Sequence, residues 1–342
     1  MNRNSTLKDI AKLLGTTPAT VSRALNDRSD ISDKMKKIVA ATARELGYNK
    51  NKVASSLRLG RTGTIGVIIP SAEQSFFGSV IHGIVNVAET LGYDVLIHQS
   101  NESYTLEEKG VHSLLAARVD GILASIARDT LDFSHFMMVK KKKLPLVFFD
   151  RVNASLGVTS VSVDDYSGAY KATEHLIKQG YRRVAHISGP DHIQIFRERM
   201  RGYIDALQAN KKKYDASLIF PGNISIESGK AGMDYFLKLK DPPDAVFAVE
   251  DFTALGVIKE LKDRNIKIPE SFGVMGFCNA LFGQHITPTL STIDQQTILM
   301  GEEAFKLIYE MIVKGKNNKT QRIKNVILEA IPIIRQSSVK KK

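Results

Sequence analysis

Apolar residues follow two different rhythms along this chain. Over the first fifty positions they recur at three- and four-residue intervals, the spacing of amphipathic helices. Ile10, Leu13 and Leu14 form one such stripe behind a Thr6 cap with Asp9 three positions on, a capping-box pattern. Gly15 ends that helix. Thr17 stands where the next N-cap belongs and Pro18 at the first helical position, where its missing N–H costs nothing. Val21, Ala24 and Leu25 turn inward on this second helix, and so tight a Gly-containing turn between two helices is a helix-turn-helix. A third helix runs from a Ser32 cap to Gly47, with Met35, Ile38, Val39, Ala41, Thr42 and Leu46 closing a small three-helix core.

From Thr64 the rhythm changes to short apolar runs separated by helix-length segments. The runs are 65–69, 94–97, 121–123, 146–149 and 160–163, and then 183–187, 216–220, 245–248 and 272–276. Two such series predict two doubly wound parallel α/β sheets. In such sheets ligands bind beyond the carboxyl ends of the strands, and with two lobes the cleft between them is the expected pocket.

The outward face of the second helix carries the candidate chemistry. Arg23 can bond O6 and N7 of one guanine, worth about 1–3 kcal/mol of discrimination. Ala19 offers a methyl to a thymine methyl, while the hydroxyls of Thr16, Thr20 and Ser22 suit phosphate oxygens. Thr17 and Pro18 at the helix start and Asn26 at its end complete the DNA-facing set. Read alone, Arg23 would sooner be a solvated surface charge, but inside this pattern the base-reading role is the favoured one.

Charge agrees with that face. The 342 residues carry a net charge of +12. Residues 1–60 hold twelve basic and five acidic side chains, an excess of +7 from under a fifth of the length. The lysine runs at 140–143 and 340–342 read as solvated loop and tail. A single cysteine, Cys278, leaves no intrachain disulfide and no thiolate zinc site. The start is polar and no apolar run nears the roughly eighteen residues of a membrane span, so a cytoplasmic protein without a membrane partner is expected. No His-Glu-x-x-His, Gly-x-Ser-x-Gly or Walker-type motif occurs and the eight histidines are scattered, so neither an enzyme nor a cofactor is expected.

The string from the helix-turn-helix through Ile31-Ser32, Glu45-Leu-Gly-Tyr48, Asn51-Lys-Val-Ala-Ser-Ser-Leu57 and Arg58-Leu-Gly-Arg-Thr-Gly-Thr-Ile-Gly-Val-Ile-Ile-Pro70 resembles the lactose and galactose repressor family of bacterial transcription factors. The resemblance runs almost end to end. It implies a headpiece (1–50), a hinge helix (51–61), a domain for effector binding and dimerisation with a periplasmic-binding-protein-like fold (62–338), and a basic tail (339–342). Three crossovers near 163–165, 291–294 and 323–325 would divide that domain into an N-lobe (62–163 plus 293–323) and a C-lobe (164–292 plus 324–338).

In relatives the hinge orders when two subunits meet on DNA, and a leucine at the position of Leu57, beside Ala54 and after Asn51, wedges into the minor groove. Such a wedge costs about a few kcal/mol of unstacking and gains a bent duplex that touches more protein. A helix this short is not stable alone. Lys50 replaces the usual proline before Asn51, which predicts a hinge looser off DNA and more salt-sensitive on it.

Effector contacts carry over residue by residue: Arg199 as the ligand-binding arginine, Phe77 as a stacking aromatic, Asp150 and Gln295 at strand and crossover ends. Phe77 could instead be core, Asp150 a loop cap and Gln295 a backbone tie. The string Gly276-Phe-Cys278-Asn279 departs from the family, which has Asp where Cys278 stands. A thiol is a poor acceptor. Glu250, before the matching Asp251, could return a carboxylate, and Ile193 and Ile195 make that side more apolar.

The resemblance thus implies a homodimeric regulator, a repressor, on pseudo-palindromic double-stranded operator DNA. Its small-molecule effector would be a sugar, a sugar derivative or another metabolite, and not a plain neutral monosaccharide held in the usual way. The alternative is a relative with a vestigial pocket that answers to a partner protein.

Overall fold

A computed structural model describes residues 5–48, 61–315 and 322–340. Asn51, Ala54 and Leu57, with Lys50 before them, lie outside the described residues. The chain divides into two compact units, Met1–Thr62 and Gly63–Lys342.

The first unit is three helices, α1 (Leu7–Leu13), α2 (Pro18–Leu25) and α3 (Asp33–Glu45). Thr6 and Asp9 close the reciprocal capping box at α1, and Ser32 caps α3 by accepting from the Met35 amide. Gly15 and Gly47 both take left-handed backbone just past the helices they follow, a conformation that glycine adopts without steric cost. Ile10, Ala11, Val21, Ala24, Val39 and Ala43 form the core. Leu13 is 65% exposed, against expectation, because the stripe on α1 runs Leu7, Ile10, Ala11, Leu14 and places Leu13 off its edge. Ile38 and Ala41 also face outward, and Ala43 takes the inward place.

In the larger unit the strands form two parallel sheets. The N-lobe sheet begins with β1 (Thr64–Ile69), β2 (Asp94–Gln99), β3 (Gly121–Ala124), β4 (Leu146–Phe149) and β5 (Thr159–Val163). The C-lobe sheet comprises β6 (Val184–Ser188), β7 (Ile219–Pro221), β8 (Ala245–Ala248) and β9 (Gly273–Met275), in the order β7-β6-β8-β9. Helices fill the intervals: α4 (Ser75–Thr90), α5 (Tyr104–Ala116), α6 (Ser134–Lys141), α7 (Asp165–Lys178), α8 (Gln194–Ala209), α9 (Ile226–Leu237) and α10 (Asp251–Asp263). Burial on both faces explains why β1, β4 and β8 are continuous apolar runs with no alternation. β2 is the exception, an edge strand whose Leu96 and Ile97 are 43% and 46% exposed.

The chain passes between lobes at three places. After β5, Asp164 caps α7 through the Ser167 amide. The second passage follows β10 (Thr292–Asp294), where Gln296 adopts left-handed backbone and α11 (Thr297–Lys314) returns to the N-lobe. The third differs from expectation. β11 (Asn325–Leu328) pairs with β5, giving the sheet order β11-β5-β4-β3-β1-β2, so the chain stays in the N-lobe through Leu328 and does not cross at 323–325. Ser160 Oγ, 3.0 Å from Asn325 Oδ1, pins that register. β12 (Ile331–Ile333) then pairs antiparallel with β10 as a two-stranded ribbon.

Where helices cross closely, glycine makes the room. A Cβ on Gly256 of α10 would come within 2.0 Å of the Ile226 carbonyl oxygen at the start of α9, and one on Gly229 of α9 within 2.0 Å of the Thr253 carbonyl oxygen. This crossing fixes α9 on α10 and, with it, the C-lobe loops that end at the cleft.

Candidate functional site

On the headpiece, Thr17 accepts from the Thr20 amide at 3.1 Å, and the two hydroxyls lie 2.9 Å apart. Their first role is therefore to start α2, with Pro18 in its first turn. Burial of Val21 and Ala24 leaves Ala19 and Arg23 exposed one helical turn apart, with Thr16, Thr20, Ser22 and Asn26 half-buried beside them. Asn26 donates from its amide to the Ser22 carbonyl at 2.6 Å, which closes the helix end. Arg23 is held from the side by Asp30, Nη1 to Oδ2 at 2.8 Å. The result is a short, capped helix presenting a methyl and a guanidinium on one face.

In the larger unit, four of the other five expected effector residues gather around Arg199. Arg199 is 2% exposed, and its Nε and Nη2 each lie 2.8 Å from Asp165 Oδ1. Nη1 donates to the Val249 carbonyl at 2.7 Å, and Nη2 reaches Gln295 Oε1 at 3.5 Å. The guanidinium lies over the Phe277 ring, 3.7 Å from its centroid. Asp150, Glu250, Cys278 and Gln295 are all buried with it. Phe77 stands apart, inside the N-lobe core, edge-on to Phe76 at 5.0 Å.

Burial dominates the electrostatics of this layer. It pushes Asp165 up to about 7 although Arg199 pulls the other way. Burial, then the neighbouring Asp251 charge, pushes Glu250 up to about 8. Asp251 rises less, to about 6, because Thr292 Oγ1 donates to it at 2.6 Å and the Ala280 amide at 2.7 Å. Asp150 is also raised by burial, although Arg151 Nε at 3.9 Å and the Ser125 hydroxyl at 3.3 Å oppose the rise. The Cys278 thiol is raised well above its usual value, first by burial and then by Glu250. Carboxylates outnumber guanidinium groups here, so the layer favours protons or donor groups over further acceptors.

Toward solvent a cavity of about 270 Å³ opens between the lobes. Its N-lobe wall includes Gln74, Asn101, Glu102, Arg128 and Arg151, and its C-lobe wall Ile193, Phe196, Asn223 and Ile224. The Arg151 and Glu102 side chains form a two-pronged ion pair at 2.6 and 2.9 Å, and the Arg128 amide also donates to Glu102. His192 Nε2 meets the Arg128 carbonyl at 2.7 Å, joining the two rims. Backbone strain concentrates around the same cleft: Asn101, Glu102, Asp150, Cys278, Asn279 and Gln296 have positive φ, with Cys278 at 146°. Non-glycine residues held there cost energy and cluster at ligand sites.

Sequence reasoning named the inner residues apart from Asp165, and of the outer wall it marked Ile193 alone. Glu102 and Arg151 are 49 positions apart, and nothing local marks them as partners. Phe196 carries a signal, three residues before Arg199 on α8 and hence on the same helical face. Of the histidines, His186 is a core residue stacked between Tyr203 and Phe247, and burial lowers it to about 4.

Comparison with known proteins agrees with both units. Residues 6–51 match the family of bacterial regulatory proteins, lacI family, and residues 62–335 match the periplasmic binding proteins and sugar binding domain of the LacI family. The HTH-type transcriptional repressor CytR of Escherichia coli strain K12 is 30% identical over 90% of this chain and 90% of its own. A structure of the transcriptional regulator CelR in complex with cellobiose is 28% identical, covers 98% of this chain and all of that one, and superposes with a TM-score of 0.73. The lac repressor dimer bound to operator and the anti-inducer ONPF shares the fold over the same extents, with a TM-score of 0.86 at 24% identity.

Proposed function

The chain belongs to the LacI family of bacterial regulatory proteins, and from that premise we propose that it is a homodimeric repressor whose hold on a pseudo-palindromic operator is set by a small molecule in the interlobe cleft. The observation that carries this reading is the capped α2 with Ala19 and Arg23 exposed on one face, in a chain whose other unit closes over a polar cavity. Arg23 reads a guanine and Ala19 a thymine methyl, while Thr16, Thr17, Pro18, Thr20, Ser22 and Asn26 set the helix against the backbone. Asn51, Ala54 and Leu57 serve the minor groove. Two such helices one DNA turn apart require two subunits, and the exposed Leu96 and Ile97 on edge strand β2, with Val85 and Leu91 nearby in sequence, offer apolar surface for a partner.

For the effector, Arg199, Asp150, Glu250, Cys278 and Gln295 form the floor, and Phe77 supports the N-lobe wall from its core. A carbohydrate or carbohydrate-like metabolite fits a cavity walled by amides, charged groups such as Glu102, Arg128 and Arg151, and apolar side chains, and the relative CelR holds cellobiose. With a neutral thiol at 278 the acceptor that relatives place there is missing, and the buried carboxyls of Asp150 and Glu250 lie elsewhere in the floor, so the ligand is not a simple free hexose held in the usual way. Among the described residues no helix is long and apolar enough to cross a membrane, and no cluster of His, Cys, Asp or Glu could hold a metal ion. A cytoplasmic, non-enzymatic regulator follows from the family reading.

The test is selection of bound sites from random DNA, with and without sugars, sugar phosphates and nucleobases, paired with calorimetric titration of the same ligands. An inverted repeat with a flexible pyrimidine–purine centre is expected, and Leu57→Ala should weaken binding with little change in half-site sequence. Tight binding of a free hexose would overturn the effector reading. Operator binding that no small molecule alters would favour a partner-protein signal, with Cys278 as the sign of a pocket no longer in use.

A further inference from the structure

We propose that Asp30 is a positioning residue for DNA recognition, holding the Arg23 guanidinium in the orientation from which it reads its base. The inference rests on the assignment of Arg23 as a base reader. Asp30 lies seven residues after Arg23, in the loop between α2 and α3, and its Oδ2 takes Nη1 of Arg23 at 2.8 Å. Both side chains are half exposed, at 50% and 53%, so the pair stands on the surface that would face DNA.

The loop under Asp30 is fixed independently of that pair. Asp27, in left-handed backbone, receives Lys36 Nζ of α3 at 2.7 Å. The Arg28 amide donates to the Arg23 carbonyl at 3.1 Å and the Ile31 amide to the Arg28 carbonyl at 3.2 Å. The Asp30 carboxylate therefore stands on a frame tied to both α2 and α3. The ion pair occupies one guanidinium nitrogen, whereas a guanine edge takes two donors of the fork, and Nε and Nη2 have no such partner on Asp30.

A long, rotamer-rich arginine loses much freedom when it docks, and fixing it beforehand reduces that loss. An exposed ion pair contributes little to folding. Removing Asp30 should thus leave the headpiece folded and change what it selects.

The experiment is a competition assay with the full-length chain on operators varied at the base pair that Arg23→Ala relaxes. Asp30→Ala should lower discrimination at that base pair by about fivefold, a fraction of what one two-pronged contact supplies, and leave the other positions unchanged. Asp30→Asn, which loses the charge and keeps an acceptor oxygen, should retain most of the preference. In the Arg23→Ala background, Asp30→Ala should have no further effect on discrimination. Unchanged discrimination in Asp30→Ala, beside a relaxed Arg23→Ala, overturns the proposal and leaves Arg23 a base reader. An Asp30→Ala effect that persists without Arg23 also overturns it, because the carboxylate would then act on DNA directly. If Arg23→Ala itself relaxes no position, the base-reader assignment fails and the proposal with it.

Discussion

At the scale of single residues, the two ends of this regulator treat charge in opposite ways. Arg23 is exposed and held by one partner, whereas Arg199 is buried and held by Asp165, the Val249 carbonyl and the Phe277 face. Arg23→Ala should relax preference at one base pair per half-site, removing about 1–3 kcal/mol of discrimination. Equal loss on every sequence, measured by competition binding, would reassign it to phosphate. Cys278, 6% exposed and with its thiol raised well above the usual value, should react with a disulfide reagent orders of magnitude more slowly in the native chain than in denaturant. Equal rates would place the thiol on an open cleft floor. The inner residues other than Asp165 were legible in the sequence because each follows a strand end or sits in a family string. Glu102 and Arg151 were not, because an ion pair between loops after different strands leaves no periodic trace.

At the scale of elements, local chemistry fixed what began and ended most segments. The caps at Thr6, Thr17 and Ser32 all appear, and β4 and β8 have their expected bounds. Spacing is a weaker guide to the inward face: Leu13 falls off the edge of the stripe on the seven-residue α1, and Ile38 and Ala41 face outward on the longer α3. It also fails at 216–220, where Asp215 accepts from the Ser217 amide, turning Ala216–Leu218 into a 3₁₀ turn and leaving only Ile219–Pro221 as strand. Thr17→Ala removes the cap of α2 and should cost about 1 kcal/mol. Hydrogen exchange of the α2 amides in the full-length chain should then accelerate roughly fivefold, since 1.4 kcal/mol is tenfold. If the α2 amides kept their protection, the Thr17–Thr20 contact would be incidental.

At the scale of the whole molecule, the buried layer around Arg199 links stability to pH. Glu250 rises to about 8 in the folded chain from an ordinary 4.5, so the native state binds its proton more tightly than the unfolded chain does. Its contribution is full below pH 4.5 and is lost as pH rises toward 8. His186, lowered to about 4, acts oppositely, losing stability as pH falls below 6.5. Glu250→Gln isolates the first effect: it should raise Tm at pH 8 more than at pH 5, by about 2–4 °C per kcal/mol of relieved ionisation cost. Thermal melts at the two pH values check this, and an equal shift at both would mean that Glu250 does not titrate in that range.

The pairing of β11 with β5 also bears on the order in which the molecule can be made. The C-lobe strands β6 to β9 are contiguous in sequence, so a ribosome can release that sheet while the rest is still being translated. The N-lobe cannot close early, because the partner of β5 emerges some 165 positions later, and until then β5 presents an unpaired edge. Synthesis therefore exposes a sticky half-sheet for the time needed to translate the whole C-lobe, and truncation before Asn325 would make that exposure permanent.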